Sequence, residues 1–254
     1  CIAKFYYAAA AREKESGASA RLRDKYLQLA FEAIVRKEKK QLIPLLHSAA
    51  DEFNSICQDR PTPKVGVVGE IFLKFNPFAQ KNITDWLIER GIEVIPPILT
   101  DFFMQSFVNR KVNVEAHLEK RQMSDLALKW FYKIAQRQID KINAVAKRFR
   151  YFVPFSNIFS EAEESKNLIT PYAQFGEGWF LPAEVASFAH QGVNNVVSLQ
   201  PFGCIANHIV AKGIEKRIKT LYPDINFLSL DFDSGVSDVN IVNRMLLFID
   251  NLKK

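Results

Sequence analysis

A cysteine stands where an α/β protein often carries out chemistry. Cys204 follows the apolar segment 196–199, and a helix-like pattern begins near Asn207. The loop that leaves the carboxyl end of a strand is where ligands bind in such folds. We expect Asn207 to cap that helix, whose dipole favours the thiolate, and thiolates bind metals. The alternative is that Cys204 is a small buried side chain in a tight turn.

The other cysteines do not combine with Cys204 into a recognisable ligand pattern. Cys1 and Cys57 are far from it in sequence and lie in helix-like segments. Three scattered cysteines do not make a disulfide framework, so we expect a reducing, cytoplasmic compartment. With only His208 close by, zinc is not indicated, because structural zinc sites need four ligands.

Two carboxylates are further candidates. Glu70 ends the apolar segment 64–70, in which Gly66 and Gly69 allow close approach either of a ligand or of neighbouring backbone. The segment lacks the Gly-Lys-Ser/Thr ending of a phosphate loop and the third glycine of a dinucleotide site. Glu177 lies between two glycines in a loop that either presents it to a ligand or is simply solvent-exposed.

Polar residues also follow the last predicted strand. The segment 231–235 begins like a calcium loop, but the remainder of that pattern is absent. Ser237 or Asp238 is expected to cap the last helix. Three polar residues near the start of that helix could face the crevice at the strand ends, where Cys204 is expected: Asn240, Asn243 and Arg244. An arginine such as Arg244 is more often a surface cation.

The order of elements predicts how these residues are positioned. Helical patterns extend to about residue 58 and end at a proline-rich break. Predicted strands then alternate with helices, which indicates a parallel sheet with helices on both faces. We expect a four-stranded, flavodoxin-like α/β fold with strand order 2-1-3-4 and strands near 64–69, 93–97, 195–199 and 226–231.

The same pattern suggests a domain organisation. Residues 1–60 form a predicted N-terminal helical segment, and 61–254 form the α/β domain. The helical stretch at about 100–160 is too long for a simple crossover, so we interpret it as an insertion.

Composition excludes several functional classes. The chain has 254 residues, of which 48% are hydrophobic and 24% are charged, as expected for a globular protein. No apolar run is long enough to cross a membrane. The net charge of +6 is spread along helices rather than concentrated with aromatic residues, so nucleic acid is not an expected partner. The sequence starts without Met in a helix-like pattern, which suggests a piece of a longer or processed chain.

Several strings, in order, resemble one known family. They are similar to the C-terminal region of the 2-hydroxyacyl-CoA dehydratase family, in particular to its branch of CoA-enzyme activase and dehydratase-activator-related proteins, which includes double-cubane-cluster proteins. The matching strings are 64–71, 75–79, 176–179, 200–204, 207–209, and 237–240 with 243–244.

The resemblance implies an iron–sulfur protein. Members bind a cluster through cysteines from more than one domain, and an ATP-hydrolysing activator delivers low-potential electrons to them. Cys204 matches the ligand cysteine of the C-terminal domain, with Gly203 and Asn207 beside it in the binding loop. The other ligands would lie in further N-terminal domains, so the 254-residue chain alone is not expected to hold a cluster or to be active.

The resemblance also implies a further partner and substrate-side residues. Acyl-CoA is among the partners that it suggests, and Glu70, Glu177 and His208 are the candidate catalytic or ligand-orienting groups. Residues 205–206 are Ile-Ala where the family has Leu-Pro, which leaves the cluster type and substrate open. The alternative function is a flavodoxin-like module without a cluster, which would dock a partner, an acyl-CoA-like molecule or a phosphorylated ligand at the strand ends.

Overall fold

A computed structural model describes residues 1–233, 235 and 237–252. Two compact units can be distinguished by their internal contacts. The first unit comprises Cys1–Pro63, Asp85–Ile95 and Ala135–Phe155, and the second comprises Lys64–Thr84, Pro96–Ile134 and Ser156–Lys254.

The N-terminal part of the first unit is helical, as predicted. Its helices are α1 (Ile2–Ala10), α2 (Ala18–Val35) and α3 (Leu42–Ile56). Their core contains Phe5, Phe53 and Phe149, with the Phe5 ring 5.7 Å from Phe53 and 4.9 Å from Phe149. Burying such rings is the main favourable contribution to folding in this unit.

The four strands form one parallel sheet. They are β1 (Lys64–Gly69), β2 (Glu93–Ile95), β3 (Asn195–Pro201) and β4 (Asn226–Phe232), in the order β2-β1-β3-β4. This confirms the α/β class, the parallel sheet and the 2-1-3-4 order, and it is consistent with a flavodoxin-like fold. β2 is shorter than predicted, whereas β3 and β4 are longer.

The glycines of β1 serve close packing. A Cβ on Gly66 would lie 2.5 Å from the Phe188 ring, and one on Gly69 would overlap the carbonyl oxygen of Leu199 on β3. Gly69 also has a φ of +119°, which L side chains rarely adopt. The sequence allowed either a ligand or neighbouring protein groups to approach these glycines closely. The structure shows the second, since a side chain and the backbone of β3 pack against them.

The remaining helices alternate with the strands as predicted, but they begin and end at somewhat different residues. In chain order they are α4 (Ile71–Phe75), α5 (Ile83–Glu89), α6 (Leu99–Glu115), α7 (Ser124–Ala146), α8 (Ile158–Ser165), α9 (Phe180–His190), α10 (Glu215–Leu221) and α11 (Asp238–Asp250).

Two predicted helices are interrupted. The pattern of residues 161–192 predicts helix with a loop around 176–178, but the non-helical segment is longer, 166–179, because Pro171 and two glycines disfavour helix there. The helix predicted from Asn207 begins instead as a π-helix, Ala206–Ala211, and continues as α10 only after a turn.

Candidate functional site

Three loops of the second unit meet at the carboxyl edge of the sheet. The backbone N–H of Ile71, just after β1, donates to Glu177 Oε1 at 3.1 Å. A Cβ on Gly176 would lie 3.2 Å from the Cβ of Ala206, just after β3. The loops that carry Glu70, Glu177 and Cys204 are therefore contiguous, and Asp231 lies at the same edge because β4 is parallel to β3.

Cys204 presents its thiol at a tight turn. Gly203 has a φ of +82°, and the Cys204 N–H donates to the Pro201 carbonyl at 3.2 Å. The cysteine is half-buried, and its Sγ accepts a hydrogen bond from Asn207 Nδ2 at 3.0 Å. The turn therefore combines access to the sulfur with one fixed N–H donor.

The expectation that Asn207 caps a helix is wrong. Asn207 is the second residue of the π-helix and is fully buried, with its Nδ2 on the thiol rather than its oxygen on a backbone N–H. The helical bonding begins earlier than predicted, because the His208 N–H donates to the Cys204 carbonyl at 2.8 Å. Asn207 Oδ1 has no hydrogen-bond partner within the described part of the chain. The expectation that a helix dipole favours the Cys204 thiolate also becomes weaker, because the helix that follows is only a short π-helix.

His208 faces Asp231 rather than the thiol. Its Nε2 lies 3.2 Å from Asp231 Oδ1, and its Nδ1 lies 3.2 Å from the Cys204 carbonyl oxygen. Asp231 also accepts from Gln200 Nε2 at 2.9 Å and from Lys212 Nζ at 2.6 Å. Three side-chain contacts hold this carboxylate in place. Sequence analysis missed Lys212, although its position four residues after His208 places both on one helical face.

The two candidate carboxylates bind the first turn of α4. Glu70 is its N-cap, and Glu70 Oε2 accepts from the Leu73 N–H at 3.1 Å, while Glu177 binds Ile71. Burial raises the pKa of Glu70, the Leu73 N–H opposes that shift, and nearby Glu177 adds to it. Glu177 is only 5% exposed, so this side chain does not point into solvent. Both carboxylates position backbone next to the thiol loop.

A buried ion pair in the second unit was also missed. Lys74 Nζ lies 2.8 and 3.0 Å from the two carboxylate oxygens of Glu184, and both side chains are 3% exposed. Burial raises the pKa of Glu184 to about 7, although Lys74 opposes the shift. Burial also raises the pKa of Glu161, whose Oε2 has no hydrogen-bond partner within the described residues. The only sequence signal was a glutamate inside the otherwise apolar pattern of α9.

Exposed apolar side chains occur in the loops and short helices that follow β1 and β3 and in the loop that carries Glu177. We call them the apolar rim, and each is more than half exposed: Phe72, Phe175, Phe202, Ile205 and Ile209. Large apolar groups in adjacent exposed loops are typical of surfaces that another molecule covers.

The polar residues after β4 have other contacts or are exposed. Ser237 precedes α11 without a capping hydrogen bond from its side chain, and Asp238 pairs with Lys81. Arg244 donates to the Ser229 carbonyl in the middle of β4 at 2.7 Å, and Asn240 and Asn243 are exposed. Of the segment 231–235, Ser234 lies outside the described residues.

The donor set around Cys204 is incomplete for an iron–sulfur cluster. Residues 1–233, 235 and 237–252 contain no group of three or more His, Cys, Asp or Glu side chains arranged to hold a metal ion. Clusters usually have about four cysteine ligands. Cys204 can supply one thiolate, so the residues near it fit one ligand position and not a whole cluster. Cys57 is buried, and burial raises the pKa of its thiol to about 11.

Comparison with known proteins adds no relative. No family model matches the chain, and neither a curated protein nor a solved structure is similar to it. Over the described residues, no helix is both long and apolar enough to span a membrane.

Proposed function

We propose that this chain is the thiol-bearing α/β part of an iron–sulfur redox protein related to the 2-hydroxyacyl-CoA dehydratases. Cys204 supplies one cluster ligand in ATP-coupled, low-potential electron transfer in a reducing cytoplasm. The observation that carries the proposal is the half-buried Cys204, whose Sγ accepts a hydrogen bond from the buried Asn207 amide. Hydrogen bonds to sulfur ligands orient them and tune the cluster's potential.

The cluster in this proposal is completed by protein outside the described residues. One thiolate needs partners, and the apolar rim offers a surface on which such a protein could exclude water from the sulfur. An ATP-hydrolysing activator is the second proposed partner, since the low potential of the reaction requires energy input. An iron–sulfur cluster in this place supplies single electrons to the bound substrate.

The other candidate residues have positioning roles in this proposal. Glu70 and Glu177 hold the first turn of α4 against the thiol loop, and His208 ties the π-helix to Asp231. Acyl-CoA is the proposed substrate class, and its acyl group would approach at this loop edge.

The test is Cys204→Ser in the complete gene product, prepared anaerobically. Serine has nearly the same size but is a harder, less acidic ligand, so the fold should survive while cluster content falls. Iron, acid-labile sulfide and the visible spectrum are measured beside thermal stability. Cys1→Ser is the matched control, because it removes a half-buried thiol outside the loop edge. Unchanged iron and spectrum in Cys204→Ser would refute the ligand role.

The second candidate function is a docking module without a cluster. It is favoured by the apolar rim together with the absence of a multi-residue metal group in the described chain. Phe202→Ser distinguishes the two proposals. A docking module loses partner binding in Phe202→Ser and keeps it in Cys204→Ser, whereas a cluster protein loses iron in Cys204→Ser.

A further inference from the structure

A cavity of about 270 Å³ opens between α6 and α7 in the second unit, with α8 contributing to its wall. This volume is close to the lower end of the range typical of small-molecule pockets, about 300–1,000 Å³. The cavity belongs to the helical hairpin and takes no residue from the thiol loop.

The floor of the cavity is aromatic and aliphatic. The Tyr132 ring lies 5.9 Å from Phe107 and 4.7 Å from Phe159, and these three rings join the three helices. Val114 and Leu128 extend this surface. A floor of this kind binds the apolar body of a ligand, because burial there removes apolar area from water.

The rim of the cavity is cationic. Five cationic and two acidic side chains line it, which gives a net charge of +3. Arg110 pairs with two carboxylates: Asp125, whose Oδ1 lies 2.7 Å from Arg110 Nε, and Glu119, which does not line the cavity. Arg121, Lys129 and Lys133 are exposed, and none of them makes an ion pair within the described chain. Positive charge therefore remains at the mouth, above an apolar floor.

We propose that this cavity binds a small amphipathic anion, with its apolar chain or ring on the aromatic floor and a carboxylate or phosphate head at the cationic rim. The apolar floor disfavours a fully polar anion, and the net charge disfavours an amphipathic cation. The proposal does not depend on Cys204 or on a cluster.

Calorimetric titration of the chain with four probes tests the proposal. Octanoate and octyl phosphate share an apolar chain and differ in the head group, so their relative affinity identifies the head. Octylammonium keeps the chain and reverses the charge, and inorganic phosphate lacks the chain. We expect at least one of the two octyl anions to bind with a dissociation constant of about 1 mM or tighter. We expect octylammonium and inorganic phosphate to bind at least about tenfold more weakly.

Two variants locate the binding. Val114→Phe fills the cavity and should abolish saturable binding of the octyl anions. The double change Lys129→Gln and Lys133→Gln leaves the floor intact and should weaken binding about tenfold. Lys141→Gln is the matched control, since Lys141 is an exposed lysine of α7 that does not line the cavity. Circular dichroism confirms that each variant is folded.

Several outcomes would overturn the proposal. Equal affinity for octylammonium would exclude charge selection, and unchanged affinity in the lysine double variant would place the ligand elsewhere. Failure of both octyl anions to bind would reject the site. If Val114→Phe does not fold, the affinities of the lysine double variant and of Lys141→Gln still show whether the octyl anions bind at the cationic rim.

Discussion

At Cys204 the chain combines a partly exposed sulfur with a donor that cannot easily move away. Asn207 is fully buried, and its amide reaches the sulfur at 3.0 Å from within the π-helix. A buried amide has few alternative partners, so its hydrogen bond orients the thiol more reliably than a surface group would. This geometry distinguishes Cys204 from Cys57, which lies in a hydrophobic core.

The Lys74–Glu184 pair shows how burial and charge compete at a single site. Both groups are removed from water, and the free energy of this desolvation is larger than for an exposed ion pair. Removal of either partner would leave the other as an unpaired buried charge. For Glu184, burial outweighs the attraction of Lys74, and the pKa of the carboxyl rises to about 7.

This shift predicts a pH dependence of stability. The carboxyl binds a proton more tightly in the folded chain than in the unfolded chain, so it stabilises the fold at low pH. That contribution is lost as the pH rises from about 4.5 to about 7, by up to about 3 kcal/mol in the free energy of unfolding. Urea unfolding at pH 5 and pH 7.5 measures the change.

The double variant Lys74→Met with Glu184→Leu is the control for this prediction. It removes both charges together, so it avoids the cost of about 3–5 kcal/mol expected when one buried charge loses its partner. We expect its unfolding free energy to change less between pH 5 and pH 7.5 than that of the parent. Glu70 and Glu161 contribute slopes of the same sign and remain in both proteins. Equal slopes would contradict the assignment to Glu184.

At the scale of elements, β1 depends on glycine for its contacts with its neighbours. Gly66 lies against the Phe188 ring on α9, and Gly69 lies against the backbone of β3. The pattern of apolar residues predicts the strand, but it does not show that a side chain at these positions would collide with the adjoining elements. These contacts place the end of β1 beside the loop that carries Cys204.

Gly69→Ala tests this packing. Its Cβ would overlap the Leu199 carbonyl, and backbone atoms of a central strand cannot move without breaking the sheet. We expect a loss of well over about 2 kcal/mol in unfolding free energy, or failure to fold.

Gly192→Ala is the matched control for Gly69→Ala. Gly192 has a φ of +74°, and no atom lies within 4 Å of a Cβ placed there. Its substitution should therefore cost only the backbone strain, about 1–2 kcal/mol. Similar losses in the two variants would show that positive φ, rather than the contact with β3, explains Gly69.

At the scale of the whole molecule, the presence of one thiol in the described loops at the sheet edge limits what the chain can do alone. We predict that the 254-residue chain, treated anaerobically with iron and sulfide, does not retain a cluster through gel filtration. One thiolate cannot replace the set of about four ligands that clusters usually need. A stoichiometric cluster that survives filtration would contradict this prediction and would require further ligands within the chain.

The fold could be predicted from the sequence because local signals agreed with one another. Short apolar segments such as Lys64–Gly69 and Asn226–Phe232 alternate with helical patterns, and breakers separate them. Such alternation leaves few topologies other than a parallel sheet. Because the strands are parallel, their carboxyl ends share one edge, so the placement of Glu70, Cys204 and Asp231 followed from the elements alone.

The contacts within the site depended on the tertiary structure. Asparagine can cap a helix or donate from inside one, and only the π-helix at Ala206–Ala211 directs Asn207 to the sulfur. Sequence separation likewise conceals the pairing of Lys74 with Glu184, 110 residues apart, because long-range contacts carry no local pattern. From the residue types and their periodicity alone, the sequence determined the class of fold and the edge where its chemistry lies. Tertiary packing decided which side chains are buried, which are paired, and which donor reaches the thiol, since those depend on the positions of distant segments.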